Sequence, residues 1–410
     1  MPVRSPRAPA DAPTAFDELL PRARRRPLRI AHLTTVDMSL ALLLGTELGL
    51  DVKAGFAVYG ISAPGPWVDK ITGLGVTHVP VPSLTRAWDP RRDLAAGREL
   101  WGALRELELD VLHTHNPKTG VLGRVLGRAA RIPVIVNTCH GLWASSDDPV
   151  PKRVLVSAVE ALSACCSDAE LYQNNEDLRR LRWAVGRRRA LTVGNGVDLT
   201  RFRPDPGARA SMRAELGVGD DELVVGGVGR RVAEKGVREF AAAANALADH
   251  AWPARPGLRP APARFIWVGP QDPDKADGVV DGLEGVQFLG TRDDMERVYA
   301  ALDVFVLPSY REGFSRSAME AAATGCAMVL SDIRGCREVG ADGHELLLVP
   351  ARNTQALVEA VACLLANPGL RRRLGTNARE RALREFDQGR IAATSVATYR
   401  EVARSKGLAW

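Results

Sequence analysis

Two glutamates separated by seven residues, Glu312 and Glu320, stand in the stretch Pro308-Ser-Tyr-Arg-Glu-Gly-Phe-Ser-Arg-Ser-Ala-Met-Glu-Ala-Ala-Ala-Thr-Gly325. Ionised carboxylates accept hydrogen bonds from hydroxyl groups. Between them lie Gly313 and the backbone N–H groups that open a helix. A helix start attracts phosphate, because its donors have no intrahelical partner and its dipole is positive there. An anion-binding helix end flanked by two hydroxyl acceptors suits a phosphorylated sugar. The spacing alone fits equally well a pair of surface glutamates on an ordinary strand–helix unit.

The elements that must position these residues can be read around them. Asp303-Val-Phe-Val-Leu307 is unbroken apolar sequence, as in a strand buried on both faces of a parallel sheet. Ser317 to Thr324 is Ala-rich and helix-forming, which puts Glu320 about two turns into a helix. Strand, loop and helix start together make the kind of sheet edge at which open α/β sheets bind ligands. The same alternation fills the chain. Strands are expected at Leu28–Leu33, Val52–Val58, Val76–Val81, near Asp110, at Pro133–Thr138, Ala169–Gln173, Leu223–Val228, Ala263–Val268, Val286–Leu289, Met328–Ser331 and Leu346–Val349. Helices are expected between them, the last over Gln388–Ser405.

Glu, seven residues, Glu, set inside Pro-Ser-x-x-Glu-Gly-Phe and followed by Glu-Ala-x-Ala-x-Gly, resembles the signature of the family 4 retaining glycosyltransferases. The resemblance runs from about Leu28 to the C-terminal region. It implies the α/β GT-B fold, two Rossmann-like domains with parallel sheets facing across a cleft. It implies that Glu320 accepts from the ribose hydroxyls of a nucleotide sugar and that Glu312 holds hydroxyls of the donor sugar. Gly313, Phe314 and Ser315 would then belong to the donor site, where a backbone N–H meets the phosphate. Ser315 stands where many members carry Gly or Pro. Gly229-Arg230 through Lys235-Gly236 resembles the family's Gly-Arg…Glu-Lys-Gly motif, which assigns Arg230 and Lys235 to the nucleotide diphosphate. Gly290-Thr-Arg292 corresponds to a turn that lies against the nucleotide base. His140, in Cys139-His140-Gly141 at a strand end, corresponds to a histidine near the reacting centre. Gly194-Asn-Gly-Val-Asp198 resembles the linker between domains. The loop Thr34–Ser39 has no glycine, so the phosphate contact that relatives make there is not carried over.

On the acceptor side, His113, His115, Asn116 and Lys118 follow a strand and suit a polar or phosphorylated group. His-x-His has the character of a metal ligand pair, but the sequence offers no obvious third ligand. Asp272-Pro-Asp274 is a chance Asp-x-Asp in a Pro-containing loop. No metal and no other cofactor is expected. Arg230, Lys235 and the helix start after Gly313 would meet the charge of the leaving diphosphate instead.

The 410 residues are 46% hydrophobic and 25% charged with a net charge of +6, as in a soluble globular protein of two or three domains. Mild basicity suits acidic ligands or an anionic membrane surface, and no nucleic-acid-binding motif is present. Residues 1–27 read as a disordered basic tail ending in Arg22, Arg24, Arg25 and Arg26. They lack the apolar core of a signal peptide, and no run is long enough to span a membrane. Residues 84–107 mix Trp, Leu and Arg at helical spacing. That is usually a core-facing amphipathic helix, with a membrane-facing one as the alternative. Six cysteines without Cys-x-x-Cys read as reduced, mostly buried thiols of a cytoplasmic protein. The expected domains are 28–194 on the acceptor side and 195–385 on the nucleotide-sugar side, with 386–410 a helix crossing back. The expected activity is retaining transfer from a nucleotide diphosphate sugar, most often UDP-linked, to a glycan, lipid-linked or small-molecule acceptor. The rivals are an epimerase or phosphorylase of the same fold, or a non-catalytic partner subunit of a membrane glycan assembly.

Overall fold

The computed structural model describes residues 26–144, 148–185, 190–219, 221–248, 260–271 and 283–408. Thirteen strands among them build two sheets. The first holds β1 (Arg29–Val36), β2 (Ala57–Ala63), β3 (Thr77–Pro80), β4 (Val111–His115), β5 (Val134–Cys139), β6 (Ala169–Tyr172) and β7 (Ala190–Thr192) in the order β3-β2-β1-β4-β5-β6-β7. The second holds β8 (Leu223–Val228), β9 (Ala263–Val268), β10 (Val286–Phe288), β11 (Val304–Leu307), β12 (Ala327–Ser331) and β13 (Leu347–Val349) in the order β10-β9-β8-β11-β12-β13. The pairings β1–β2, β1–β4, β2–β3 and β6–β7 of the first sheet and all those of the second are parallel. Both are thus Rossmann-like, with helices on the faces, and the central strands β4, β6, β11 and β12 are buried along their whole length.

The strand orders matter most for function. The chain builds outward from β1 to β3 and then returns to lay β4 on the other side of β1. It does the same from β8 to β10, returning to lay β11 beside β8. Each sheet therefore has one point where the order reverses, between β1 and β4 and between β8 and β11. The loops leaving such a pair of strands part to opposite faces and leave a crevice at the carboxyl edge.

By contact density the chain divides into two compact units. The first takes the described residues up to Asn137, with Ser163–Ala169 and everything from Ser395. The second takes Thr138–Leu162 and Glu170–Thr394. In the first unit, Leu33, Ile61, Leu84, Ala96, Leu100, Leu104, Leu112 and Ile135 share one core. The helix Pro90–Glu106 thus presents its apolar stripe inward. Asp89 caps it, accepting from the Arg91 N–H at 3.0 Å, and Pro90 opens it. The core-facing reading of 84–107 holds, with Trp88 and Leu94 left outside. In the second unit, Phe202, Tyr299, Phe305, Phe314, Met319 and Phe386 anchor the larger core.

Most expected elements appear within a residue or two, but the second strand does not. Val52 closes the helix Gly45–Lys53, and a turn at Gly55 (φ +83°) precedes the strand at Ala57–Ala63. The expected site helix begins at Arg316, with Ser315 as its cap. The first strand extends to Val36, through the loop residues expected to follow it. No disulfide joins the six cysteines, but only Cys326 and Cys336 are fully buried, so "mostly buried" was too strong. Arg22, Arg24, Arg25, Asp272 and Asp274 lie outside the described residues. Arg26 lies within them and pairs with Asp110 at 3.1 Å.

Candidate active site

The turn after β8 carries Gly229, Arg230 and, in a short 3-10 turn, Lys235. Gly236 ends that turn at φ +71°, and a Cβ there would sit 2.1 Å from the Pro308 carbonyl oxygen. Only glycine permits both the left-handed backbone and this approach. The Tyr310 N–H then donates to the Glu234 carbonyl at 2.9 Å. The loops leaving β8 and β11, neighbours at the reversal point, are thus sewn together by their backbones. The result is an ion pair between Lys235 Nζ and Glu312 Oε1 at 2.6 Å. A Cβ added at Gly229 would just touch the Lys235 stem, at 3.5 Å.

Gly313 brings in a third segment. A Cβ on Gly313 would lie 1.9 Å from the His140 carbonyl oxygen, and one on Gly141 (φ +118°) would lie 2.7 Å from the Gly313 Cα. Two glycines in backbone contact therefore set the His140 backbone against Gly313, the residue after Glu312. Burial lowers the His140 pKa to about 4, against the opposing hydrogen bond with Gln173. The imidazole is neutral at physiological pH, so it can give and take hydrogen bonds without adding charge.

Three residues that the sequence reading passed over hold this assembly. Arg334, at the start of the short helix after β12, pairs with Asp177 at 2.7 Å and donates to the carbonyls of Leu142 and Ala144. It grips the backbone that follows His140 from the side of β12. Asn174 accepts from the Asp177 N–H at 2.7 Å and donates to the Gly313 carbonyl at 3.2 Å. Arg311 pairs with Asp148 at 2.8 Å. A legible signal existed for Asn174 and Asp177. Asn-x-x-Asp before a helix is a capping pattern, and the helix begins at Asn175 rather than at the expected Leu178. Arg334 had no such signal.

Glu320 lies in the second turn of Arg316–Thr324, with Oε1 3.2 Å from Arg316 Nε. Burial raises its pKa, while Arg316 and the Tyr299 hydroxyl pull it down. The Ser315 hydroxyl accepts from the Ala318 N–H at 3.3 Å, so it caps its own helix and uses one of the donors expected for phosphate. The Phe314 ring sits in the core, edge-on to Phe386. Gly290 (φ +66°) has open space where a side chain would go, and its carbonyl accepts from the Gly269 N–H. Arg292 is engaged elsewhere. It bonds both oxygens of Asp294 at 2.8 Å and Glu215 at 2.7 Å, which raises its pKa and depresses that of Asp294. The structure brings together Lys235, Glu312, Gly313 and His140, and Arg230 lies on the same turn as Lys235. Phe314 and Arg292 are tied into packing and ion pairs.

The acceptor-side set lies in the first unit and fares differently. His113 and His115 are fully buried on β4, so they form no exposed wall. The alternation of a strand puts both on one face, and the register of β1 on β4 sets His32 opposite His113. His32 Nδ1 lies 3.1 Å from His115 Nε2, and His32 Nε2 lies 2.8 Å from Asp51 Oδ2. Burial would lower the His32 pKa, but Asp51 and Glu47 more than offset that and raise it. His32 is the third ring that the sequence did not supply. Asn116 adopts φ +64°, uncommon for a side-chain residue, and its Oδ1 accepts from the Thr35 N–H at 3.3 Å. Lys118 Nζ pairs with Asp93 at 2.6 Å.

Two family models match the chain. The family model described as "Glycosyl transferase 4-like domain" matches residues 46–196, and "Glycosyl transferases group 1" matches residues 222–367. The chain is 30% identical to the alpha-maltose-1-phosphate synthase of Mycolicibacterium smegmatis over 72% of this chain and 79% of that protein. It is 28% identical to the N,N'-diacetylbacillosaminyl-diphospho-undecaprenol alpha-1,3-N-acetylgalactosaminyltransferase of Campylobacter jejuni, over 74% of this chain and 80% of that protein. Among solved structures, Anabaena HepE in complex with UDP-glucose superposes with a TM-score of 0.73 at 21% identity, over 91% of this chain and 100% of that one.

Proposed function

The chain belongs to the family 4 glycosyltransferases of GT-B fold, and from that premise we propose that it moves a sugar from a UDP-sugar to a lipid-linked or small-molecule acceptor with retention of configuration. The observation that carries this is the Lys235–Glu312 pair, 2.6 Å apart at the reversal point of the second sheet, with the His140 backbone against Gly313, the residue after Glu312. In this reading the donor diphosphate takes Lys235 away from Glu312. Lys235 and Arg230 then face the phosphate, where charge grows as the glycosidic bond breaks. Arg suits bidentate phosphate contact, and Lys supplies a point charge. The freed Glu312 carboxylate accepts from hydroxyls of the sugar. Neutral His140 positions the sugar without competing for the phosphate. Glu320 accepts from the ribose hydroxyls, in exchange for Arg316. No added divalent ion is required, since two fixed cations occupy its place. In this reading the acceptor proton passes to the leaving phosphate, since Glu312 and His140 are occupied in holding the sugar.

Nucleotide release is the test. With UDP-sugar and acceptor, UDP should appear in step with glycosylated product. Isomerised donor without acceptor would indicate an epimerase, and sugar phosphate formed with inorganic phosphate a phosphorylase. No turnover with any nucleotide sugar would indicate a non-catalytic subunit. A thermal-shift panel of UDP, GDP and ADP sugars identifies the donor, since bound ligand raises the melting temperature.

Relatives named for diphospho-undecaprenol acceptors raise the question of membrane contact. Among the described residues no helix is long and apolar enough to cross a membrane. The helix Val150–Ala164 nevertheless exposes Val150, Val154, Leu155 and Leu162, the last 72% accessible, and Trp183 is equally bare. This face, with the net positive charge, supports peripheral association with anionic lipid in place of the 84–107 segment.

A further inference from the structure

The reaction proposed above leaves the buried histidines of the first unit without a role. We propose that His32, His113 and His115 form a site for one transition dication of the zinc class. One ring nitrogen from each lies within 4.8 Å of the others, and all three residues are fully buried. Imidazole nitrogen is a preferred donor for such ions, whereas Mg²⁺ and Ca²⁺ take oxygen. Two nitrogens bound to one tetrahedral zinc at ~2.0–2.1 Å stand roughly 3.3 Å apart. His32 Nδ1 and His115 Nε2, 3.1 Å apart, already have nearly that spacing. Binding would draw the third ring inward.

The surroundings are those of a metal centre. His32 turns its Nε2 to Asp51 Oδ2 at 2.8 Å. His113 turns its Nδ1 to the Tyr399 hydroxyl at 2.6 Å, while Glu47 Oε1 stands farther off at 3.4 Å and is not hydrogen-bonded to it. Contacts of this kind fix the tautomer and orientation of metal-bound imidazoles. Charge points the same way. Asp51 Oδ1 and Glu47 Oε1 are buried and accept no hydrogen bond. Among the described residues no Lys or Arg pairs with either carboxylate. Buried carboxylates need a cation nearby, and a dication held by the three rings would supply it. Its work would be structural, tying β1 and β4 to the helix Gly45–Lys53 and to the Tyr399 end of the last helix.

The experiment uses the full chain, purified without chelator or polyhistidine tag from cells supplied with Zn²⁺. Elemental analysis should find about one zinc per chain. Stripped protein should regain melting temperature with Zn²⁺ and show the visible absorption of nitrogen-ligated, four-coordinate Co²⁺. His113→Gln and His115→Gln should lose the ion, and His344→Gln, an exposed histidine of the second unit, should keep it. Should either variant fail to fold, the wild-type Co²⁺ spectrum and zinc-dependent melting still decide. Folded wild-type protein without stoichiometric metal, Co²⁺ band or melting shift would overturn the site, leaving a proton-bridged network. Full metal content in His115→Gln would overturn it equally.

Discussion

The two reversal points of strand order, β1/β4 and β8/β11, share one topology and use it in opposite ways. At β1/β4 the chemistry-bearing side chains point into the unit, where His32, His113 and His115 close on one another and on Asp51. At β8/β11 they stand on the loops beyond the strands, and Lys235 and Glu312 remain partly accessible, at 21% and 12%. The difference lies in where the polar residues fall along the chain. His113 sits inside β4 and His32 inside β1, so the pleat and the covering helices seal them. Arg230, Lys235 and Glu312 lie past the last strand residue, on turns that Gly236 and Gly313 hold tight. Topology makes the crevice, and register decides whether it is filled from within or left for a ligand.

The sharpest way to break this contrast is to remove a cation from the open edge. Lys235→Ala should lower kcat/KM by about 2–4 kcal/mol of transition-state stabilisation, by analogy with loss of one oxyanion donor. A variant with wild-type UDP release would show that the pair is structural. The glutamates should then separate. Glu312→Ala should lower kcat as well as raise KM for donor, whereas Glu320→Ala, remote from the reacting bond, should mainly raise KM. Steady-state kinetics showing equal, purely KM effects would erase the distinction.

His140 gives an effect that is read in stability and not in turnover. Its folded-state pKa, about 4, lies below the ordinary histidine value. The unfolded chain therefore binds the proton more readily between about pH 6.5 and 4, and stability falls as pH drops through that window. The shift amounts to about 3 kcal/mol at its lower end. His140→Gln should flatten that part of a urea-denaturation pH profile, and an unchanged slope would contradict the neutral, buried assignment. The smallest effect belongs to the exposed helix. Leu155→Glu with Leu162→Glu should weaken co-sedimentation with anionic vesicles at low salt while leaving turnover on a soluble acceptor intact.

Much of the open edge was legible in the sequence. Asp303–Leu307, the Ala-rich helix and the glycine-bounded turns each carry a local signal, and chemistry on loops next to strand ends stays close to those signals. Leu223–Val228 and Ala263–Val268 were placed to the residue, because apolar runs ended by glycine leave little freedom. The sealed edge was not legible. His32 joins His113 through register between strands about eighty positions apart, which no local pattern encodes. Arg334 likewise acts on the His140 loop only after folding. The apolar residues around Val52 suit a strand as well as a helix end, and the turn at Gly55 decides for the helix. Arg292 reads as available because Glu215, 77 positions away, meets it only in the fold, although Asp294 stands two residues on.

The central claim is that fixed cations at the β8/β11 edge drive sugar transfer from a nucleotide sugar. It is met most directly by measuring UDP release from UDP-sugar with acceptor, in wild type and Lys235→Ala, with and without added Mg²⁺ or Mn²⁺. Wild-type turnover should be indifferent to the added ion, and Lys235→Ala should be severely impaired under both conditions. Turnover that vanishes without the ion, returns with it and ignores the loss of Lys235 would contradict the account.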